Sequence, residues 1–178
     1  RIPKKNLKKI NNKSLLEITI NLAKKVNKID KIFVSSDSKK ILKIAKNNNI
    51  QIIKRPKFLC TNKSDEFASW KHAVKELKKR KILFDYFLSL PTTSPLRKKS
   101  DITRLIQKFS QTKYDVLLCA TETNRYPHYN MVLRKKNTIQ PIMKKSKGIK
   151  KNNILDLTTV GYITKPKFIM CGKKMKQK

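Results

Sequence analysis

The segment "PTTSPLR", residues 91–97, places three hydroxyls and an arginine around two prolines, directly after the apolar run "FLSL". In a chain with 38 Lys against 7 Arg, arginine is the rarer cation. Its planar fork can hold a carboxylate or phosphate with two parallel bonds, which an ammonium cannot do. A second arginine, Arg55, is followed by Pro56 and closes another apolar run, "IQII". A nucleoside triphosphate requires cationic donors for its phosphates and fixed polar groups for base and ribose. Arg55, Arg97, Thr92, Thr93 and Ser94 supply both kinds. On spacing alone the competing reading stands beside it: a proline-stiffened turn whose hydroxyls satisfy its own backbone.

The other chemistry-bearing residues narrow the possibilities. Neither GxxxxGK[ST] nor GxGxxG occurs, and with only Gly148, Gly161 and Gly172 in the chain no glycine-rich phosphate cradle can be built. Asp37, immediately ahead of "SKKILKIA", sits where helix N-caps sit. His72 falls inside a helical pattern next to its apolar face and reads as a partly buried structural histidine. His128, in "RYPHYN", is the better site candidate of the two. Cys60, Cys119 and Cys171 lack CxxC spacing, and read as small buried hydrophobes before disulfide partners or metal ligands.

These residues need elements to position them. "SLLEITINLAKKV" opens with Ser14 and Glu17 at capping-box spacing and continues with Leu15, Ile18, Leu22 and Val26 at helical intervals. "KIFVSSDS" is a strand ending in hydroxyls, followed by a helix through Ile41, Leu42 and Ala45 that closes at Asn47 to Asn49. The order repeats with the strand "IQIIK" and a helix carrying Phe67, Trp70, Val74 and Leu77 on one face. It repeats again with "YFLSL" and a helix of Ile102, Leu105, Ile106 and Phe109, then with the strand "DVLLCAT". Residues 124–153 show no clear period. Continuous apolar strands alternating with amphipathic helices predict an α/β domain, with a doubly wound, mostly parallel sheet. Right-handed crossovers bring the strand-to-helix turns to one edge, where ligands of such sheets bind. The turns at 35–38, at 55–56 and at 91–97 therefore converge.

The length of 178 residues and 38% hydrophobic content predict one domain with its own core. No run approaches the ~20 apolar residues of a membrane span and no signal peptide is evident, so the expected compartment is the cytoplasm, without a membrane partner. The formal charge of +34 suggests a nucleic-acid partner, but the lysines are spread along the whole chain, beside 20 Ile and 14 Asn. That pattern fits compositional drift in an A/T-rich coding sequence. Nucleic-acid readers favour arginine and interleaved aromatics, so no nucleic-acid partner is expected. The chain opens on "RIPKKN" and closes on "GKKMKQK", which reads as a fragment.

Taken as a set, "RIPKKN", "IFVSSDS", "RP" with "FLCTN", "KHAV" and "PTTSPLR" with "DI" resemble, in order and spacing, the acylneuraminate cytidylyltransferases, the CMP-sialic acid synthetase family. The resemblance covers residues 1 to about 122 and resumes at "DLTTVGYITKP". It implies a Rossmann-like nucleotidyltransferase fold whose first strand lies outside this chain. It also implies transfer of CMP from CTP to a 2-keto-3-deoxy sugar acid such as a sialic-acid-like nonulosonate, with release of pyrophosphate, for surface glycans. The cofactor so implied is Mg²⁺ and the assembly a homodimer, with a dimerisation arm within residues 123–153.

Residue by residue, the resemblance assigns nucleotide contacts to Lys5, Asn6, Asp37, Arg55, Thr92, Thr93 and Ser94, and sugar contacts to Pro91, Arg97, His128 and Lys150. The family's "ARxGSK" phosphate loop would precede residue 1, so no catalytic residue is assigned and the fragment is expected to be inactive by itself. Three departures stand out. Pro91 replaces a glutamine of many sialic-acid enzymes, Asp65 and Glu66 replace small hydroxylated residues, and Thr164-Lys165 follow "GYI" where many members carry metal-binding aspartates. Asp156 is the nearby carboxylate left as a metal ligand. Alternative readings are a CMP-3-deoxy-octulosonate-type synthetase, an inactive relative, and a basic nucleic-acid-binding α/β domain.

Overall fold

The computed structural model describes residues 2–61, 65–124, 127, 131–135, 138–141 and 154–171. The chain divides into two compact units, one of Arg1–Leu117 with Thr159–Lys178, the other Leu118–Thr158.

The larger unit begins with a 3-10 turn at Lys5–Leu7 and a short antiparallel ribbon of β1 (Lys9–Ile10) and β2 (Lys13–Ser14). Asn11 and Asn12 turn this ribbon with φ of 47° and 62°, a conformation Asn tolerates better than most residues. Helix α1 (Leu15–Lys24) starts at the expected capping box. The Ser14 hydroxyl accepts from the Glu17 amide at 3.2 Å, and the Ser14 amide donates to the Glu17 carboxylate at 2.8 Å. Its apolar stripe, with Leu16 and Ile20, packs on Val34, Ala45 and Ile50.

Strand β3 (Phe33–Ser36) leads into α2 (Lys39–Asn47), and β4 (Gln51–Lys54) returns parallel to β3, Phe33 opposite Gln51 and Ser36 opposite Lys54. The expected cap of α2 is corrected by one position. Ser38, not Asp37, accepts from the Ile41 amide, at 3.5 Å, because Ser36 to Ser38 form a further turn in which the Ser38 amide bonds the Ser36 hydroxyl. Helix α2 ends where Asn49 adopts φ 56°. Next come a 3-10 turn at Lys57–Cys60 and α3 (Glu66–Lys79), whose first turn is capped by Asp65.

Strand β5 (Phe87–Ser89) and α4 (Lys99–Ser110) follow, then β6 (Val116–Glu122). Ile102 and Phe109 of α4 are almost wholly buried, each such side chain stabilising the fold by about 1.5–3 kcal/mol. After β7 and β8, described below, β9 (Leu155–Thr164) lies between β5 and β6, antiparallel to β5, with Phe87 opposite Thr164 and Ser89 opposite Tyr162. Helix α5 (Pro166–Cys171) closes the described chain and buries Ile169 against Trp70 and Val74 of α3. Among the described residues no helix lies between β6 and β9, and a parallel return would need a crossover. Phe33 and Val34 are successive residues and face opposite sides of the sheet. Val34 packs with α1 and α2, Phe33 with α3, so helices cover both sides of β3.

In the smaller unit, β7 (Val132–Lys135) and β8 (Thr138–Pro141) form an antiparallel hairpin, Val132 opposite Pro141. Regular structure thus occurs inside a segment whose sequence shows no period, and a two-stranded pairing of four residues is too short for alternation to stand out. The Thr158 hydroxyl donates to the Cys119 carbonyl at 3.1 Å. Cys60 and Cys119 are half-buried, whereas Cys171, expected as a buried hydrophobe, is exposed at the end of α5. No described helix is long and apolar enough to cross a membrane.

Candidate active site

Three of the turns singled out by their residue types line one cavity of about 1120 Å³ in the larger unit, at the carboxyl ends of β3, β4 and β5. Arg55 is half-buried, and its position is built from the sheet. Its amide donates to the Ser36 carbonyl at 2.9 Å, extending the β3–β4 ladder by one bond. Its guanidinium then folds onto β3, Nη2 donating to the Ser35 carbonyl at 2.9 Å and Nε to the Ser35 hydroxyl at 3.2 Å. Two bonds to one residue fix the plane of the fork, which lysine could not reproduce.

Across the cavity, Asn6 accepts at Oδ1 from the Thr92 hydroxyl at 2.8 Å, a bond spanning 86 positions of sequence. It ties the N-terminal 3-10 turn to the end of β5 and brings exposed Lys5 to the cavity rim. Lys4, just before that turn, has φ 50°, so a left-handed residue sets its direction. Thr93 and Ser94 turn toward β9 instead. Their hydroxyls meet the Thr159 hydroxyl at 3.2 and 2.7 Å.

Arg97 is 7% exposed. Its Nη2 donates to the Pro91 carbonyl at 2.6 Å and to the Thr159 carbonyl at 3.0 Å. These contacts are those of a brace that closes the 91–97 turn against β9. The two readings of "PTTSPLR" thus divide its residues: Pro91, Thr92 and Thr93 line the cavity, while Ser94 and Arg97 bond across to Thr159 and hold the turn in shape.

Electrostatics at the cavity centre on Glu66, at the first turn of α3. Partial burial of its carboxyl pushes its pKa up, Arg55 and Lys5 pull it back, and Asp65 adds to the rise. Glu66 was singled out in the sequence only as a departure from a family pattern; a residue facing two cations at a helix N-terminus has no linear signature. Asp37 is exposed, and its side chain meets Cys60, whose thiol is pushed up first by burial and then by Asp37. His72 is half-buried on α3, and desolvation lowers its pKa, as for a structural histidine.

His128 and Lys150 lie outside the described residues, as does most of the expected dimerisation arm. Asp156 is exposed on β9 in the smaller unit. Among the described residues no three His, Cys, Asp or Glu side chains gather to hold a metal ion. The described donor set therefore does not form a protein-built Mg²⁺ site.

A layered α/β unit with helices on both sides of its sheet and polar turns at the strands' carboxyl ends is the architecture of a nucleotide-handling protein. The cytidylyltransferase family model matches residues 1–159, and the chain belongs to that family. It is 29% identical over 133 residues to post-translational flagellin modification protein B of Campylobacter coli, covering 74% of this chain and 57% of that protein. It is 30% identical over 126 residues to the pseudaminic acid cytidylyltransferase of Campylobacter jejuni serotype O:23/36, covering 68% and 53%. The chain spans about half the length of these curated relatives. The crystal structure of 4-diphosphocytidyl-2C-methyl-D-erythritol synthase from Anaerococcus prevotii superposes with a TM-score of 0.66 at 15% identity, covering 92% of this chain and 64% of that one. This likeness shows the shared Rossmann-like nucleotidyltransferase fold.

Proposed function

We propose that the cavity at the carboxyl ends of β3 and β5 binds CTP, and that the protein takes part in transfer of CMP to a 2-keto-3-deoxy sugar acid of the sialic-acid-like class. The observation that carries this reading is the convergence of Lys5, Asn6, Arg55 and Thr92 on one cavity. In the reaction the anomeric hydroxyl attacks the α-phosphorus. A new P–O bond forms, the bond to the β-phosphate oxygen breaks, and pyrophosphate leaves while the hydroxyl loses its proton. Such transfer is largely positioning and charge neutralisation, which a fixed guanidinium and a rim lysine suit. Mg²⁺ enters this reading with the triphosphate, since it keeps several waters and is typically held by one or two carboxylates plus phosphates. The name of the pseudaminic acid cytidylyltransferase supports a sugar-acid acceptor of this class.

The test is calorimetric titration of the 178-residue protein with CTP and with ATP, repeated on Arg55→Lys. Pyrophosphate release is then measured with CTP, Mg²⁺ and a panel of eight- and nine-carbon keto-acid sugars, on this chain and on one carrying an added phosphate loop. The reading expects CTP to bind at least tenfold more tightly than ATP, Arg55→Lys to lose about tenfold, and the extended chain to respond to one sugar. Equal affinity for both nucleotides, or no release with any sugar in the extended chain, overturns it.

A further inference from the structure

The carboxyl end of the cavity is not purely basic. Beside Arg55 and Lys5 it is lined by a carboxylate, Glu66, the first residue of α3. The cavity's other acidic residues, Asp30 and Asp85, precede β3 and β5 and lie at its amino end. Arg55 is fixed on Ser35 through Nε and Nη2, which leaves Nη1 without a bonded partner among the described residues. Lys5 is held at the rim by the Asn6–Thr92 bond. Neither cation closes an ion pair with Glu66, since the direct ion pairs among the described residues are Lys79 with Glu76 and Lys165 with Asp115. The carboxylate therefore faces its two cations across open cavity, and the gap between them is a place for an anion.

Two fixed cations around an empty space repel each other, and a carboxylate opposite them offsets that repulsion. Desolvation acts most strongly on the Glu66 carboxyl and pushes its pKa up. Arg55 at the end of β4 pulls it down, Asp65 at the cap of α3 pushes it up, and Lys5 of the 3-10 turn and a hydrogen bond with Trp70 of α3 pull it down. The balance lies above the ordinary 4.5. One side of Glu66 reaches solvent, so protons exchange there. A polyphosphate entering the gap takes over both cations and sets several negative charges beside the carboxylate. Like charges so close favour the protonated acid.

We infer that Glu66 is a built-in counter-anion at the phosphate end of the cavity: it balances Arg55 and Lys5 in the free protein and takes up a proton from solvent when a polyphosphate binds between them. This role rests on the reading of the cavity as a triphosphate site. Because the bound carboxyl titrates above the free one, affinity for polyphosphate rises as pH falls through the bound value and levels off below the free value.

The test is calorimetric titration of the 178-residue protein, Glu66→Gln and Glu66→Asp with inorganic triphosphate, across the range from weakly acid to weakly alkaline, in pairs of buffers that differ in ionisation enthalpy. Protons bound by the triphosphate itself are common to all three proteins, so the difference between wild type and Glu66→Gln belongs to the carboxyl. Wild type is expected to take up more protons than Glu66→Gln. The glutamine variant should bind about tenfold more tightly at the alkaline end, with the gap closing in acid, and Glu66→Asp should keep the pH dependence of wild type. Equal proton counts in wild type and Glu66→Gln, weaker binding by Glu66→Gln, or a gap that does not change with pH overturns the role. So does an absence of triphosphate binding in all three proteins. CTP and ATP are titrated alongside. Equal affinity for the two removes the CTP reading and leaves the Glu66 result standing on triphosphate, whereas a CTP preference with equal proton counts keeps that reading and overturns the counter-anion.

Discussion

Replacing Arg97 separates the two roles that an arginine in the 91–97 turn can play. The guanidinium is 7% exposed and donates to the carbonyls of Pro91 and Thr159 at 2.6 and 3.0 Å. A hydrogen bond from a charged donor stabilises by about 1.5–3 kcal/mol, and a buried carbonyl left without its donor costs about 1–3 kcal/mol. Arg97→Ala therefore loses about 3–5 kcal/mol, a large part of the ~5–15 kcal/mol that holds a domain together. Arg97→Lys, able to reach one carbonyl, loses about half as much and stays folded. The assay is urea unfolding followed by the fluorescence of Trp70, the single tryptophan, which is 8% exposed and packs on Phe87 and Tyr162. With a slope of about 2 kcal/mol/M, the alanine midpoint falls by roughly 2 M and the lysine midpoint by roughly 1 M. A loss under ~1 kcal/mol for Arg97→Ala refutes the brace. So does a lysine variant that keeps its stability while its CTP affinity collapses, because Arg97 would then be a ligand contact.

Gly161→Ala would place a Cβ 2.9 Å from Leu105 Cδ2 and 3.4 Å from Ile102 Cδ1. Both are ends of flexible side chains, so the expected loss is about 1 kcal/mol by urea unfolding, and the double variant with Leu105→Ala should lose less than the sum of the two single losses. Lys81 holds φ 56° after the end of α3, so Lys81→Gly should raise stability by about 0.5–1 kcal/mol, read as a higher Tm. Ser14→Ala removes the capping box of α1 and should cost about 1 kcal/mol at pH 7. The Ser14 bond is the chief cause holding the Glu17 carboxyl below its ordinary 4.5, so this stabilisation is present above that range and fades as pH falls through the lowered value. The gap between wild type and Ser14→Ala, measured by urea titration at several pH values, should therefore narrow in acid.

The elements were legible where the chain obeys local rules. The helices of 15–24, 39–47, 66–79 and 99–110 carry apolar stripes and cap residues, and they fall within a residue or two of their sequence signals. The 11–12 turn, the antiparallel course of β9 and the hairpin at 132–141 did not show, since each depends on pairing partners distant in sequence or on too few residues to display a period. At the site, residue type identified Arg55 and the 91–97 turn but could not tell their tasks apart. Arg55 and Arg97 both follow an apolar run near a proline. What separates them is that Thr159, 62 positions after Arg97, supplies the carbonyl that draws its fork inward. The Asn6–Thr92 bond and the approach of Lys5 to Glu66 likewise arise only when the fold brings segments 60 or more positions apart together.

The charge of +34 bears on this site in a limited way. Many exposed lysines make a positive field that draws any polyanion and raises encounter rates, and salt screens that field over about 8–10 Å. A field of this kind does not distinguish one nucleotide from another, because every triphosphate carries the same phosphates. On the proposed nucleotide reading, discrimination would fall to groups whose position the fold fixes: the fork of Arg55 held on Ser35, the amide of Asn6 held by Thr92, and the Glu66 carboxyl at the start of α3. Each of these is anchored through a backbone group, a hydroxyl or a helix terminus at the carboxyl edge of the sheet. Salt should therefore weaken the binding of every nucleotide in common, while the preference for one base over another stays nearly constant.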